Sequence, residues 1–118
     1  MNTGNATLNL YNVTLTSNSA LYGGGIVYDI YSKGRIANST IANCFSRTSG
    51  GGVYLSGYTI VEFLGTIIEQ NTADSVGSGA FIESFSRPSF IGCSIRYFSI
   101  FLKCIIFVGI YLQDCYQK

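Results

Sequence analysis

The sequence lacks histidine and tryptophan, has one proline, and is poor in charged residues, which make up 11% of the chain. Without histidine the chain cannot build a Ser-His-Asp or Cys-His catalytic machine, nor a zinc site with imidazole ligands. The net charge of +1 gives no electrostatic reason to expect binding to nucleic acid or to an anionic membrane surface. We therefore expect no cofactor and no nucleic-acid partner.

The four cysteines are few and widely spaced, and none forms a CxxC pair: Cys44, Cys93, Cys104 and Cys115. That spacing excludes a zinc ribbon and a thioredoxin-type motif, and we expect small, partly buried apolar side chains. The segment Met1–Asn5 is polar and does not have the basic and apolar regions of a signal peptide. The alternatives are an intracellular protein or an internal piece of a longer chain, and the repeats favour the second.

A constant repeat is visible in three glycine clusters, each followed by a short apolar stretch. The clusters are Gly23-Gly24-Gly25-Ile26, Gly50-Gly51-Gly52-Val53 and Gly77-Ser78-Gly79-Ala80. A second element precedes each cluster, at a spacing that is one residue shorter: Thr14-Leu15, Thr40-Ile41 and Thr66-Ile67, followed by Asn18, Asn43 and Asn71 respectively. The gap between the two elements therefore grows by one residue per repeat, which predicts a surface loop of variable length.

The apolar stretches are short and rich in β-branched and aromatic residues, which is typical of strands. Strands at a fixed spacing predict an all-β fold, a right-handed parallel β-helix in which about three coils stack. We assign residues 1–95 to this solenoid and residues 96–118 to a degenerate terminal coil or hydrophobic tail. An antiparallel sandwich is the competing fold, but it does not predict near-identical motifs at one spacing.

Stacking predicts columns of equivalent side chains along the solenoid axis. We expect two inward apolar columns, and a ladder of asparagine amides at a turn. Their members are Ile26, Val53 and Ala80; Leu15, Ile41 and Ile67; and Asn18, Asn43 and Asn71. We interpret the glycines as corners that need positive φ or close packing. A phosphate-binding loop is the alternative, but no GK[S/T] and no helix signal follows.

The glycine corner and the upstream asparagine resemble the GGA[I/L/V] and FxxN elements of chlamydial polymorphic outer membrane proteins and of similar microbial surface proteins. The resemblance covers roughly residues 8–95, with glycine at the alanine position and Leu or Ile in place of Phe. It implies a pectin-lyase-like right-handed β-helix and a surface-exposed or adhesive role. It carries no catalytic site over to this chain.

The C-terminal part breaks the repeat with an apolar run over residues 97–112 that contains Lys103. A transmembrane helix needs about 20 apolar residues and disfavours a central lysine. A degenerate coil or hydrophobic cap is therefore favoured over a membrane segment, and an end created by chain truncation is a third interpretation.

Two sets of residues carry candidate chemistry. Asn5, Asn12 and Asn38 begin N-x-[S/T] sequons and are glycosylation acceptors if the chain is secreted. Asp29, Ser56 and Glu83 are equivalent in the repeat, so the two carboxylates would stand about 10 Å apart, two coils from each other. That distance is near the upper limit for an inverting glycosidase pair. We interpret both as charges that keep one solenoid face soluble.

The functional hypothesis is a non-catalytic structural or binding module, a fragment of an extracellular or cell-surface adhesin-like β-helix. Its expected partners are glycans or surface proteins, together with further coils of the same longer chain. The alternative is a fragment of a carbohydrate-active, pectin-lyase-like enzyme with Asp29 and Glu83 as its acids.

Overall fold

The computed structural model describes residues 1–96, 100–102, 111–113 and 116–117. All the elements in these residues are β-strands, arranged in four parallel sheets in which each strand pairs with its equivalent one coil away. The predicted all-β parallel solenoid of about three coils is therefore confirmed. No helix in the described residues is long and apolar enough to cross a membrane.

The two longer sheets follow each other along each coil. The first sheet contains β1 (Thr7–Tyr11), β5 (Lys33–Ala37), β9 (Ile60–Leu64), β13 (Arg87–Ile91) and β16 (Tyr111–Gln113). The second sheet contains β2 (Thr14–Thr16), β6 (Thr40–Ala42), β10 (Ile67–Glu69), β14 (Ser94–Arg96) and β17 (Tyr116–Gln117).

Two narrower sheets complete each coil. The third sheet contains β3 (Ser19–Ala20), β7 (Phe45–Ser46) and β11 (Thr72–Ala73). The fourth sheet contains β4 (Ile26–Tyr28), β8 (Val53–Leu55), β12 (Ala80–Ile82) and β15 (Ile100–Leu102). In the first two sheets, β1, β2, β5, β6, β9, β10 and β13 end where the next residue has a positive φ, which turns the chain.

The core lies inside the four sheets and is built from stacked columns of apolar side chains. Ile26 pairs with Val53, and Val53 pairs with Ala80, and all three are buried. This confirms the first predicted inward column. In the first sheet, Phe63 and Phe90 are fully buried and their rings stack 4.7 Å apart. Such columns form because a single coil cannot cover its own apolar face.

The second predicted column was wrong by one residue in the third coil. Leu15 pairs with Ile41, but Ile41 pairs with Ile68, and Ile67 pairs with Thr40. The physical reason is the length of the coil between these strands. Pairing of β5 with β9 in the first sheet sets this length, and β6 and β10, which follow in the second sheet, must pair with the same offset. Matching Thr66-Ile67 to Thr40-Ile41 by residue type implied a coil that is one residue too short.

The variable loop lies between the third and fourth sheets, and it lengthens once rather than at each coil. Between the first two coils, Ala20 pairs with Ser46, whereas Ile26 pairs with Val53, which is one residue further along the chain. The next coil keeps the longer spacing at both places, since Ser46 pairs with Ala73 and Val53 with Ala80. The predicted growth in every repeat was therefore wrong.

The predicted asparagine ladder was also wrong, because Asn43 does not share a column with Asn18 and Asn71. The pairings on either side align Asn18 with Cys44 and Asn71, and they align Asn43 with Ser17 and Gln70. Ser17, Asn43 and Gln70 all have positive φ, at 55°, 53° and 53°. The asparagine in the second coil therefore supplies a left-handed turn residue rather than an amide for the stack.

Small side chains that donate hydrogen bonds line the turn between the first and second sheets. Ser39, Thr66 and Cys93 occupy one column, are buried, and donate to nearby carbonyl oxygens. The Thr66 hydroxyl donates to Ile36 O and the Cys93 thiol to Phe63 O, each in the preceding coil. Buried cysteines here act as weak donors in a position that serine and threonine also fill. Cys104 and Cys115 lie outside the described residues.

The C-terminal strands continue the parallel stacking with a shorter spacing. Ala80 pairs with Ile100, and Ser89 pairs with Tyr111. Fewer residues separate these partners along the chain than separate Val53 from Ala80. Most of the predicted apolar run over residues 97–112 lies outside the described residues. The proposed boundary at residue 95 stays a prediction.

Candidate binding surfaces

The glycine clusters form a tightly packed corner before three strands of the fourth sheet, β4, β8 and β12. Gly23, Gly50 and Gly77 have φ values of 59°, 70° and 67°, the left-handed region that glycine reaches without steric cost. Gly51 does not have a positive φ, but a Cβ there would overlap the carbonyl oxygens of Thr72 and Ser78. Similar close approaches occur at Gly24, Gly25 and Gly52, the last against the carbonyl of Gly79. Backbone atoms of the neighbouring coil therefore fill the space at this corner, and no room is left there for a phosphate group.

A second corner, between the fourth and first sheets, was not predicted from the sequence. Each coil places two successive residues in the left-handed region, namely Ile30-Tyr31, Gly57-Tyr58 and Ser84-Phe85, which follow the equivalent Gly4-Asn5. The signal available in the sequence was the equal spacing of Tyr31, Tyr58 and Phe85, which matches that of the glycine clusters. It was missed because only one of these three pairs contains glycine.

The aromatic residues of this corner stack along the axis, and we call Tyr31, Tyr58 and Phe85 the aromatic corner. The ring centroids are 5.3 Å apart for Tyr31 and Tyr58, and 5.0 Å apart for Tyr58 and Phe85, with nearly parallel planes. Tyr31 is 57% exposed and Tyr58 is 49% exposed. Stacked rings of this kind stabilise neighbouring coils and still present their edges to solvent.

Cationic side chains lie beside the aromatic corner on the first sheet. Lys33, Ile60 and Arg87 form one column, with Ile60 58% exposed between the two cations. Neither cation forms an ion pair with a described residue, whereas Arg35 pairs with Glu62 at 2.8 Å. A cavity of about 210 Å³ is lined by Tyr58, Ile60, Phe85 and Arg87. This surface combines aromatic, aliphatic and positively charged groups.

The outer face of the fourth sheet carries the other aromatic column. Tyr22 and Tyr54 have ring centroids 5.2 Å apart with planes tilted by 58°, and Tyr54 stacks on Phe81 at 5.4 Å. A groove of about 360 Å³ is lined by Met1, Leu21, Tyr22, Val27, Asp29 and Tyr54. A neighbouring cavity of about 230 Å³ is lined by Tyr22, Thr48, Ser49, Tyr54, Phe81 and Glu83. Tyr22 and Tyr54 therefore separate two cavities, each with one carboxylate.

Asp29, Ser56 and Glu83 occupy one column on this face, directly after the paired residues Tyr28, Leu55 and Ile82. One carboxylate oxygen of Glu83 accepts hydrogen bonds from the Tyr54 hydroxyl and, at 3.4 Å, from Ser56 Oγ. Burial, and then the Glu83 carboxylate beside it, raise the pKa of Tyr54. Asp29 Oδ1 accepts a hydrogen bond of 2.9 Å from the backbone N–H of Ile30.

The sequon asparagines all lie on the surface at turns. Asn5, Asn12 and Asn38 are exposed and have φ values of 62°, 56° and 49°. Asn12 and Asn38 share a column in the turn between the first and second sheets. In the part of the chain that the structure describes, no group of three or more His, Cys, Asp or Glu residues could hold a metal ion.

Comparisons with protein-family models, with curated proteins and with solved structures found no match to this chain.

Proposed function

We propose that this chain is a non-catalytic structural and binding module, a section of a longer adhesin-like β-helix that lies outside the cell or on its surface. The observation that carries the proposal is the stacking of aromatic side chains over successive coils at the aromatic corner, where Tyr31 is 57% exposed and Tyr58 is 49% exposed. A second stack, of Tyr54 and Phe81 on the fourth sheet, is more covered, since Phe81 is 4% exposed. Repeated rings exposed at a fixed spacing suit the binding of an extended partner.

Our proposal for the fold family is a right-handed, pectin-lyase-like β-helix with repeats similar to those of polymorphic outer membrane proteins. Its support is the glycine corner, which recurs once in each coil and leads into a buried aliphatic residue at Ile26 and Val53. In an extracellular chain, Asn5, Asn12 and Asn38 would be accessible to a glycosyltransferase, because all three are exposed.

The partners that we propose are glycans or surface proteins. Exposed tyrosine and arginine side chains contribute strongly to many protein interfaces because they bury large areas at modest entropic cost. Tyr58 and Arg87 line one cavity, so both residues would contact the same part of a partner. Further coils of the longer chain would extend each surface along the axis.

The second candidate is a fragment of a carbohydrate-active β-helix enzyme. It is favoured by one observation, which is that Asp29 and Glu83 are partly exposed and lie in the same column two coils apart, at about 10 Å. A pair at that separation is near the upper limit for inversion at a sugar centre with a water molecule between the acids.

A polysaccharide assay separates the two candidates. The full chain is incubated with pectin-like polymers, and both retention on the polymer and release of reducing sugar are measured. We expect no release above the buffer level, whether or not the polymer is retained. Release that disappears in Asp29→Asn and in Glu83→Gln, but persists in the first-sheet control Glu62→Gln, would overturn the binding-module proposal.

A further inference from the structure

The two cavities on the fourth sheet share Tyr22 and Tyr54 in their linings, and we call them together the acidic aromatic groove. It is defined by Leu21, Tyr22, Val27, Asp29, Tyr54 and Glu83. We propose that this groove binds the lysine or arginine side chains of a partner protein. The proposal rests on the binding role proposed above and names the chemistry of one partner.

The tyrosine pair supplies the first reason. The Tyr22 and Tyr54 rings, 5.2 Å apart and tilted by 58°, line both cavities, and Tyr22 is 46% exposed. An ammonium or guanidinium group near the face of a tyrosine ring is attracted by its quadrupole. Leu21 and Val27 provide apolar surface in the larger cavity, which suits the aliphatic stem of a lysine or arginine.

The carboxylates supply the second reason. Asp29 lies in the larger cavity and Glu83 in the smaller one, on either side of the tyrosine pair. Neither forms an ion pair with a described residue, and each has one oxygen engaged by neutral donors. A cation that reaches either cavity therefore finds an unneutralised carboxylate beside an aromatic ring. Charge-assisted hydrogen bonds of this kind are about twice as strong as neutral ones.

The distribution of charge distinguishes a basic partner from other ligands. Among the described residues, Met1 lines the larger cavity but no lysine or arginine lines either one, and the carboxylates of Asp29 and Glu83 would repel an anionic ligand. The cations Lys33 and Arg87 lie on the first sheet, beyond the aromatic corner. The two carboxylates are about 10 Å apart, a separation that lies between those of same-face side chains two residues (about 7 Å) and four residues (about 13 Å) apart in an extended peptide, and long basic side chains can span the difference. A protein segment supplies that arrangement directly.

The test is a titration of the full chain with a fluorescent peptide that alternates lysine and arginine with glycine. We expect saturable binding that weakens as salt is raised, because the contacts are partly exposed. Asp29→Asn and Tyr22→Ala should each weaken binding about tenfold. Glu62→Gln and Tyr11→Ala are the matched controls on the first sheet, where one removes an acid and the other an exposed tyrosine, and both should bind like the wild type.

Two further probes fix the chemical class of the partner. A peptide with glutamate in place of the basic residues should not bind, and an amino-sugar oligomer should bind more weakly than the basic peptide. Binding that is unchanged in Asp29→Asn and Tyr22→Ala, although circular dichroism shows both variants folded, would overturn the proposal. Stronger binding of the amino-sugar oligomer would overturn the assignment to a protein partner.

The failure of this proposal and the failure of the proposed function give different results. If the basic peptide does not bind but the chain is retained on glycans or on cell surfaces, only the groove assignment fails. If the chain releases sugar through Asp29 and Glu83, the binding-module proposal fails whatever the peptide does.

Discussion

The side chain of Asn71 bonds to the backbone of the preceding coil, with its Oδ1 accepting from Cys44 N at 2.9 Å. Its Nδ2 donates to Ile41 O at 3.0 Å. Asn71 is 1% exposed, so these are the bonds that satisfy a buried amide. One side chain therefore fastens two coils together at a turn where the sheet ladders are interrupted.

Replacing Asn71 tests this coupling. Asn71→Ala leaves Cys44 N and Ile41 O without their partner, and an unsatisfied buried polar group costs about 1–3 kcal/mol. We expect the free energy of unfolding in urea to fall by about that amount. Asn18→Ala is the matched control, because Asn18 holds the same column position but is exposed. A loss of stability equal in both variants would contradict the role assigned to Asn71.

The glycine corner gives a second prediction. In Gly51→Ala the new methyl group must displace the backbone around Thr72 and Ser78, so we expect a loss of about 3 kcal/mol in unfolding free energy. Gly92→Asn is the control. It has φ 61° and lies in the column that holds Asn12 and Asn38, so asparagine should be tolerated there within about 0.5 kcal/mol. The comparison is made by urea denaturation followed by circular dichroism.

The phenylalanine stack gives a third prediction. Phe63 is fully buried against Phe90, and Phe63→Ala should cost about 3–5 kcal/mol through lost burial and the cavity that remains. Ile60→Ala, in the same strand but 58% exposed, should change stability by less than about 0.5 kcal/mol. Thermal unfolding of both variants checks this. Equal destabilisation would contradict the assignment of Phe63 to the inward face of β9 and of Ile60 to its outward face.

The pH dependence gives a fourth prediction, which concerns Tyr28. Burial raises the pKa of Tyr28 to about 12, and its hydroxyl donates to Leu8 O at 2.9 Å. Because the folded pKa lies above the ordinary value of 10.0, the folded chain holds this proton more tightly than the unfolded chain. The associated stability is complete below pH 10 and is lost as the pH rises to 12.

The measurement compares the wild type with Tyr28→Phe by urea denaturation from pH 8 to 12. At pH 8 the variant should be less stable by about 1 kcal/mol, which is the usual net contribution of one hydrogen bond to the free energy of unfolding. Above pH 10 the wild type should lose about 2 kcal/mol more than the variant. Parallel curves over this range would contradict the raised pKa.

The sequence alone determined the repeat, the parallel stacking and the inward column of Ile26, Val53 and Ala80. These were predictable because motifs of like residues at one spacing must meet when coils stack. The glycine corner was equally predictable at Gly50 and Gly51, since glycine adopts the left-handed backbone at Gly50 without steric cost and leaves room for the next coil at Gly51.

Only the tertiary structure decided which residues are true equivalents. Thr66 resembles Thr40 in type, yet pairing along whole strands places Ile67 beside Thr40 and leaves Thr66 buried with Ser39. Backbone hydrogen bonds set the register cooperatively over a sheet, so one residue inserted in a loop moves every later match. The aromatic corner and the acidic aromatic groove depend on that register, because their members are distant in sequence and meet only where coils stack.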